Sequence, residues 1–397
     1  MSLLISRAST GLSYDVILEN GMMKRACADE KTDFTFGVSD AGSIEPLLEL
    51  YNFSVDPVVS ESHRRSFKEC SYEGAVPWGY AVPARQFKSS LRSLVDGLND
   101  FMSTISTSPY SSFFCETNRL FGFLQESKID KEKCSFFLED NDNHVLKSML
   151  EGSDKNGMLP VPTYNRVSTK TGRLVIKAGP QFLTMKKTHR NVFLPSDPKS
   201  KLFEIDFTSL EPRVALNIAK QNCSSDVYTT FATFSGLNVT RDVAKLAVLC
   251  ALYGAGKYRL ESVLRKDGSQ VKAAELLQAV RDYFCIDNLS KALTVEAREG
   301  KIFNCFGRPI EVDDARSSVL INNFLQSSAS DIALSGFLHF CETFRECVKP
   351  LFVIHDALVF EASPEHLGCI TEYVDNGYEL KNVGNFPLKI MEFGAHG

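Results

Sequence analysis

The stretch LFVIHDALVFEA, residues 351–362, limits the fold of this chain more than any other. Two apolar runs, residues 351–354 and 357–360, each have the length of a buried strand and leave His355 and Asp356 as the tip of a hairpin. Asp tolerates the backbone angles of tight turns, so Asp356 read alone is as much a turn former as a ligand. The functional reading sets a condition on the rest of the chain. A rigid hairpin that presents a carboxylate to a metal needs a second acid on a neighbouring strand.

With 397 residues, 44% of them apolar and 23% charged, the chain is long enough for two or three subdomains of ordinary globular composition. It has no run of about eighteen apolar residues, and MSLLISRASTGLSYDV lacks the charged start and apolar core of a leader, so a cytoplasmic protein without membrane contact is predicted. Eleven cysteines, an odd number without a CxxC, suggest neither a disulfide framework nor a zinc site. A net charge of −5 argues against nonspecific coating of nucleic acid and leaves room for a local basic channel.

Residues 1–80 read as irregular, with loop signals at SDAGS and EGAVPWGYAVP. From 84 to 150 the pattern is helical: Phe87, Leu91, Leu94, Val95, Leu98 and Met102 form one apolar stripe, and Phe113, Leu120, Phe121 and Leu124 another. GSDKNGMLPVPTYN reads as a linker into a region of mixed strands and helices, and no internal repeat is present.

The second acid lies in KLFEIDFTSLEPRVALNIAK. Residues 202–205 suit a strand with Asp206 at its end, and Thr208 or Ser209 begins a helix. Thr208-x-x-Glu211 is a capping-box pattern. If Ser209 caps instead, Pro212 falls in the first turn, where its missing N–H costs nothing, and Glu211 is free to face a ligand. A third stretch, VTRDVAKLAVLCALYGAGK, repeats every four residues through Arg241, Lys245, Leu249 and Tyr253. On a helix each is rotated by about 40° from the last, so one slowly turning stripe carries two cations, an apolar residue and a ring. Cations near a helix N-terminus suit a polyphosphate, and a ring before the breaker Gly254 suits stacking on a base.

Together, Asp206 in DFTSLEPR, the R-x3-K-x7-YG pattern from Arg241 to Gly254, and IHDALVFE resemble, in order and spacing, motifs A, B and C of family A DNA polymerases. STKTGRL and INNFLQSSASDIA resemble two further segments of that family, and the likeness runs over about residues 161–397. It implies an α+β right-hand polymerase: a palm with an antiparallel sheet (156–220 and 316–397), helical fingers (221–315), a helical thumb (84–155) and an N-terminal region of unknown role (1–83).

The same resemblance implies that Asp206 and Asp356 hold two Mg2+ ions, with Mn2+ as a substitute, for in-line phosphoryl transfer from a dNTP to a primer 3'-hydroxyl. It gives Arg241 and Lys245 to the triphosphate, Tyr228 to a further phosphate contact, Leu249 and Glu211 to the sugar, and Tyr253 to the nascent base pair. Arg173 falls at the primer terminus, Asn322 and Gln326 in the duplex minor groove, and His355 on the primer-template side. Primer-template DNA, dNTPs and replication accessory proteins are the partners implied.

Departures mark a divergent member, of the kind carried by a phage, virus or plasmid. Leu249 stands where Phe or Tyr is usual, Ala357 where Glu is usual, Pro212 in place of leucine, and Ser318 where arginine is common. A core of roughly 400 residues leaves little room for an exonuclease domain, so no proofreading is expected. Asp130-Lys131-Glu132 in KIDKEKC reads as a solvated loop. Two basic clusters, Arg64, Arg65 and Lys68 and then Lys186, Lys187 and Arg190, are candidate phosphate contacts. A single-subunit RNA polymerase shares several of these motifs, but Glu211 argues against it. Intact Asp206, Asp356, Arg241 and Lys245 argue against an inactive fold that only binds primer-template.

Overall fold

The computed structural model describes residues 1–395 except 28–29, 39, 41, 70–75, 77, 140–142, 222–225, 255 and 267–269. It divides into two units, residues 1–122 and 123–397.

In the first unit, β1 (Ser2–Ile5) pairs antiparallel with β2 (Val16–Glu19) and parallel with β4 (Phe34–Phe36), and β3 (Met22–Arg25) completes the order β3-β2-β1-β4. Asn20 and Gly21 join β2 to β3 with φ of 50° and 73°, the positive values that a two-residue hairpin takes at both central positions. This sheet corrects the reading of residues 1–80 as irregular. Its strands are only three or four residues long, and the Asn-Gly pair was the signal for them. Part of the loop signals at SDAGS and EGAVPWGYAVP, and the side chain of Lys68, lie outside the described residues. Arg64 and Arg65 are exposed on the helix Glu61–Glu69. Helix α1 (Ala84–Ser106) buries Phe87, Leu94, Leu98, Phe101, Met102 and Ile105, and α2 (Pro109–Asn118) buries Tyr110 and Phe114.

The stretch expected as one helical subdomain, 84–155, is therefore shared between the units. Its later part supplies β5 (Ser127–Ile129), α3 (Lys131–Glu139) and α4 (His144–Gly152) to the second. The sequence read as a linker contains β6 (Met158–Leu159), paired with β5; Asp154 Oδ1 accepts from Asn156 N and Met158 N, so the Gly-rich segment is a tight turn. Asp130 is not in a solvated loop either. Its Oδ1 accepts from Lys133 N at 2.9 Å and caps α3.

Further along come β7 (Thr163–Asn165), β8 (Val175–Ala178), β9 (Phe193–Leu194), β10 (Lys201–Phe207) and α5 (Leu210–Ile218). A helical group follows: α6 (Val227–Ser235), α7 (Arg241–Tyr253), α8 (Lys257–Lys266), α9 (Ala273–Tyr283) and α10 (Ile286–Glu296). The hairpin β11 (Lys301–Phe303) and β12 (Pro309–Glu311) leads into the long α11 (Ser317–Thr343). After β13 (Val348–Ile354), β14 (Ala357–Ala362) and α12 (Leu367–Asn376), the chain closes with β15 (Tyr378–Leu380), β16 (Gly384–Phe386) and β17 (Leu388–Glu392). Among the described residues no helix is long and apolar enough to cross a membrane.

The central sheet has the order β13-β14-β10-β17 and is antiparallel throughout. Alternation along β10 sends Phe203, Ile205 and Phe207 to one face, where Phe207 meets Phe337 of α11 at 5.6 Å between ring centroids and Phe203 meets Phe360 at 5.9 Å. The other face carries Leu202, Val359, Phe352 and Phe393, packed with Phe182 and Phe193. Each fully buried ring contributes about 1.5–3 kcal/mol, so the sheet is a rigid platform. A register shift between Pro350 and Phe352 lets β13 switch faces and then run in step to the pair Ile354–Ala357. His355 and Asp356 are left as a two-residue tip.

Candidate active site

Asp206 is the penultimate residue of β10, and its cross-strand neighbours are Ala357 of β14 and Lys389 of β17. Asp356 precedes Ala357, so register alone brings the two acids together at one end of the sheet. The left-handed position of the tip belongs to His355, with φ 53°, and not to Asp356. Tyr164 clamps the free edge of β13 beside the tip: its hydroxyl donates to Val353 O at 2.6 Å and accepts from Val353 N at 2.9 Å. Burial pushes the Asp356 carboxyl above the usual carboxylate range; the Arg173 charge opposes this and the Asp206 charge adds to it.

Helix α5 starts from Ser209, whose φ is 53° and whose side chain makes no capping bond. No Thr208–Glu211 capping box forms, and Pro212 is the third residue of the helix. Arg173 Nη2 instead donates to Glu211 Oε1 at 3.3 Å. Burial pushes Glu211 upward and the Asp356 charge adds to this, with Arg173 opposing.

The stripe on α7 faces away from its buried side. Val243, Ala244, Ala247, Val248, Cys250 and Leu252 pack inward, whereas Arg241 and Lys245 are exposed and Leu249 and Tyr253 are half-buried. Arg241 holds Asp226 with two hydrogen bonds, at 3.1 and 2.7 Å. Burial opposes ionisation of Asp226, but Arg241 and the Thr229 N–H outweigh it and bring its pKa down to about 2. The ring of Tyr228 lies under both cations, 5.4 Å from Arg241 and 5.8 Å from Lys245, and its hydroxyl bonds Ser209. Burial pushes the Tyr253 hydroxyl up, and the charge of Glu211 adds to this. Gly254 ends α7 at φ 68°, where a Cβ would sit 2.3 Å from Ser318 Cβ of α11.

Arg173 is on the loop from β7 to β8, and that loop is anchored from beneath. Buried Arg308 donates to Arg166 O at 2.9 Å, and buried Arg166 pairs with Asp331 of α11 at 2.6 Å. Asn304 Nδ2 donates to Asp331 Oδ2 at 2.7 Å. Gly172 has φ 74° with the Arg308 guanidinium 3.0 Å from the Cβ position, so the chain passes Arg308 as closely as glycine allows. His355, Asp356, Arg173, Ser330 and Phe337 line a cavity of about 240 Å³. On α11, Gln326 Nε2 donates to Asn322 Oδ1 at 2.7 Å.

Three features escaped the sequence reading. Arg190, grouped with the basic candidates, is buried: it pairs with Glu204 at 2.9 Å and lies over Phe393, so it braces the sheet and offers nothing to a phosphate. Lys186 and Lys187 stay exposed. Lys389 Nζ lies 2.9 Å from Asp206 Oδ2, and the sole hint of it was a lone cation in the apolar run LKIM. The one sign of the Arg166, Asn304 and Asp331 network in the sequence was an acid among the small and apolar residues of SSASDIALS.

Among the described residues no group of three or more His, Cys, Asp or Glu forms a metal cage. Mg2+ is commonly held by one or two carboxylates and completes its shell with phosphate oxygens and water, so the Asp206 and Asp356 carboxylates are donors of a kind that could hold it. The Asp206 charge adds to the cost of ionising Asp356, and a cation beside the two carboxylates would offset that cost.

An antiparallel sheet ending in paired acids, beside helices that carry an Arg, Lys and Tyr stripe, places the chain among right-hand polymerase folds. The polymerase domain of Pol1 from M. smegmatis, solved in complex with DNA primer-template and dNTP, has a similar fold. It matches with a TM-score of 0.50 and 18% identity, over 63% of this chain and 50% of that one. The sequence profile of DNA polymerase family A matches residues 143–392, and the chain belongs to that family. It is 24% identical to DNA polymerase I of Bacillus subtilis (strain 168) over 260 residues, 57% of this chain and 29% of the relative. With the DNA polymerase of Mycobacterium phage L5 the identity is 26% over 155 residues, 37% of this chain and 26% of the phage protein. DNA polymerase I of Geobacillus stearothermophilus is 24% identical over 263 residues, 57% of this chain and 30% of the relative. The chain thus spans less than a third of the length of each of these three relatives.

Proposed function

We propose that this chain is a template-directed DNA polymerase that extends a primer 3'-hydroxyl with dNTPs by two-metal phosphoryl transfer and does not proofread. The observation that carries the reading is the meeting of two acids from distant segments, Asp206 at the end of β10 and Asp356 at the tip of the β13–β14 hairpin that pairs with it. Asp206 and Asp356 hold Mg2+, or Mn2+ in its place. When bound, the cations supply Lewis acidity at the 3'-hydroxyl and at the phosphates.

Arg241 and Lys245 neutralise the triphosphate, and for this Arg241 leaves its resting partner Asp226. Tyr228, beneath both cations, orients them and offers a hydroxyl to a further phosphate. Tyr253 stacks on the nascent pair, Leu249 lies beside the sugar, and Glu211, held by Arg173, closes the space of a ribose 2'-hydroxyl. Arg173 and His355 border the primer end. Asn322 and Gln326 read minor-groove acceptors, which every base pair presents. The names of the relatives, and the primer-template and dNTP in the Pol1 complex, support DNA and dNTPs as ligands. Replication accessory proteins are further partners in this reading, and a site of action in the cytoplasm of a host cell accords with it.

The test is extension of a labelled primer with dNTPs, with Mg2+ and with EDTA. Extension should require the metal, and Asp206→Asn and Asp356→Asn should each fall below about 10% of wild type, a decade being only about 1.4 kcal/mol of barrier. Primer-template binding should survive in both, because cations and groove contacts hold the duplex. Residual extension above that level in either variant removes its residue from the metal site.

A further inference from the structure

We propose that Lys389 is a built-in counter-ion of the metal site, which holds Asp206 in place while the site is empty and yields it to the first divalent cation. The inference rests on the assignment of Asp206 as a metal ligand and adds a residue that governs how readily the metal enters.

Lys389 faces Asp206 directly in the β10–β17 register, with Nζ 2.9 Å from Oδ2. The partner of Asp206 on the other side is Ala357, which carries no charge to balance it. Directly opposed residues of an antiparallel pair project to the same face, so the ammonium lies on the side where the Asp206 carboxylate points. Asp206 is the acid whose charge reaches Asp356, so Lys389 bears on the pair through it.

A divalent cation that takes Asp206 must share its oxygens with the ammonium or displace it, and two positive charges a few ångströms apart repel. The contact is partly solvated, with side-chain exposures of 46% and 25%, so the effect is moderate and the ammonium can swing away. While the site is empty, the pair restrains the Asp206 rotamer against the repulsion of its acidic neighbour. The cost falls on cation affinity. Metal brought with a triphosphate is favoured over metal arriving alone, because the phosphates add oxygen ligands that Lys389 does not contest.

The same sheet contains an internal control. Lys201 pairs with Glu392 at 3.0 Å, with comparable exposures of 53% and 47%, and neither residue is one of the paired acids.

The experiment measures binding of Mn2+ alone, without DNA or nucleotide, from the free-ion electron paramagnetic resonance signal. Lys389→Met should bind Mn2+ roughly threefold to tenfold more tightly than wild type, the scale of one partly screened charge. Lys389→Arg should stay near wild type, Lys201→Met should not change, and Asp206→Asn should bind more weakly. The Mg2+ concentration for half-maximal primer extension should fall in Lys389→Met by a similar factor. Should the Met variant not fold, Lys389→Gln tests the same point and carries the same expectation. If Asp206→Asn weakens binding while neutral residues at 389 leave it unchanged, the counter-ion role is wrong and the metal site stands. If Asp206→Asn leaves Mn2+ binding unchanged, the metal-site assignment itself fails.

Discussion

Glu211→Ala should loosen the choice of sugar. Glu211 is the second residue of α5, its carboxylate is 3.3 Å from Arg173 Nη2, and its charge reaches Tyr253. In the proposed role it fills the space of a ribose 2'-hydroxyl. A methylene-sized contact is worth roughly 1–3 kcal/mol of discrimination, and the truncation removes a contact of at least that kind. The kcat/KM ratio of rNTP to dNTP should therefore rise by about 10- to 100-fold, at about 1.4 kcal/mol per decade. Stability should hardly move. The Arg173 pair joins side chains exposed by 51% and 18%, worth less than about 1 kcal/mol, and the burial penalty on the carboxylate disappears with it. That is a Tm change of about 2–4 °C at most in a unit of this size. A pH series adds a second check. Because burial and Asp356 raise the folded pKa of Glu211 above its usual 4.5, the unfolded chain gives up this proton first as pH rises. Wild type should therefore lose stability relative to Glu211→Gln from about pH 4.5 upward until the folded-state carboxyl has titrated. Paired single-turnover assays with dNTP and rNTP measure the ratio. A ratio unchanged within about twofold, or a wild type that already prefers rNTPs, refutes the sugar-gate reasoning.

Asp226→Asn should cost about 1 kcal/mol at neutral pH, because asparagine can still cap α6 through Thr229 N, 2.8 Å from the carboxylate in wild type, but gives up the charge that holds Arg241. With a folded pKa of about 2 against an ordinary 3.8, the wild-type advantage should be full above about pH 4 and should disappear as pH falls toward 2, as acid melts of both proteins would reveal. A primer with a mismatched 3' end should stay intact on incubation with the protein and Mg2+. Release of its terminal nucleotide that is lost in Asp130→Asn or Glu132→Gln would assign that region a nuclease role.

The hairpin at 348–362 was legible because residues 351–354 and 357–360, on either side of its tip, are unbroken apolar runs, so no competing period obscured the two-residue tip. Asp206 at a strand end and the Arg241 to Tyr253 stripe were legible for a similar reason: each depends on local periodicity, and the structure keeps both elements. What stayed hidden depends on which strand lies beside which. Arg190 looked like a surface cation because nothing near it in sequence announces Glu204 as a partner inside the core. Lys389 shows locally only as a lone cation in an apolar run, and its meaning comes entirely from β17 pairing with β10. The N-terminal sheet was missed through its short strands, although Asn20-Gly21 marked one of its turns. The boundary at 122/123 falls between helices of similar apolar pattern, where periodicity cannot tell which core each helix joins.

The irregularity between Pro350 and Phe352 acts as a buffer for changes in chain length. From Phe352 to the tip every residue of β13 has a fixed partner, so one residue gained or lost there would turn each following side chain over and swing Asp356 away from Asp206. At the bulge the ladder already tolerates an unmatched residue. Homologues that differ in length within this hairpin should differ on the N-terminal side of Phe352, and grafts meant to preserve the acid pair should be spliced there.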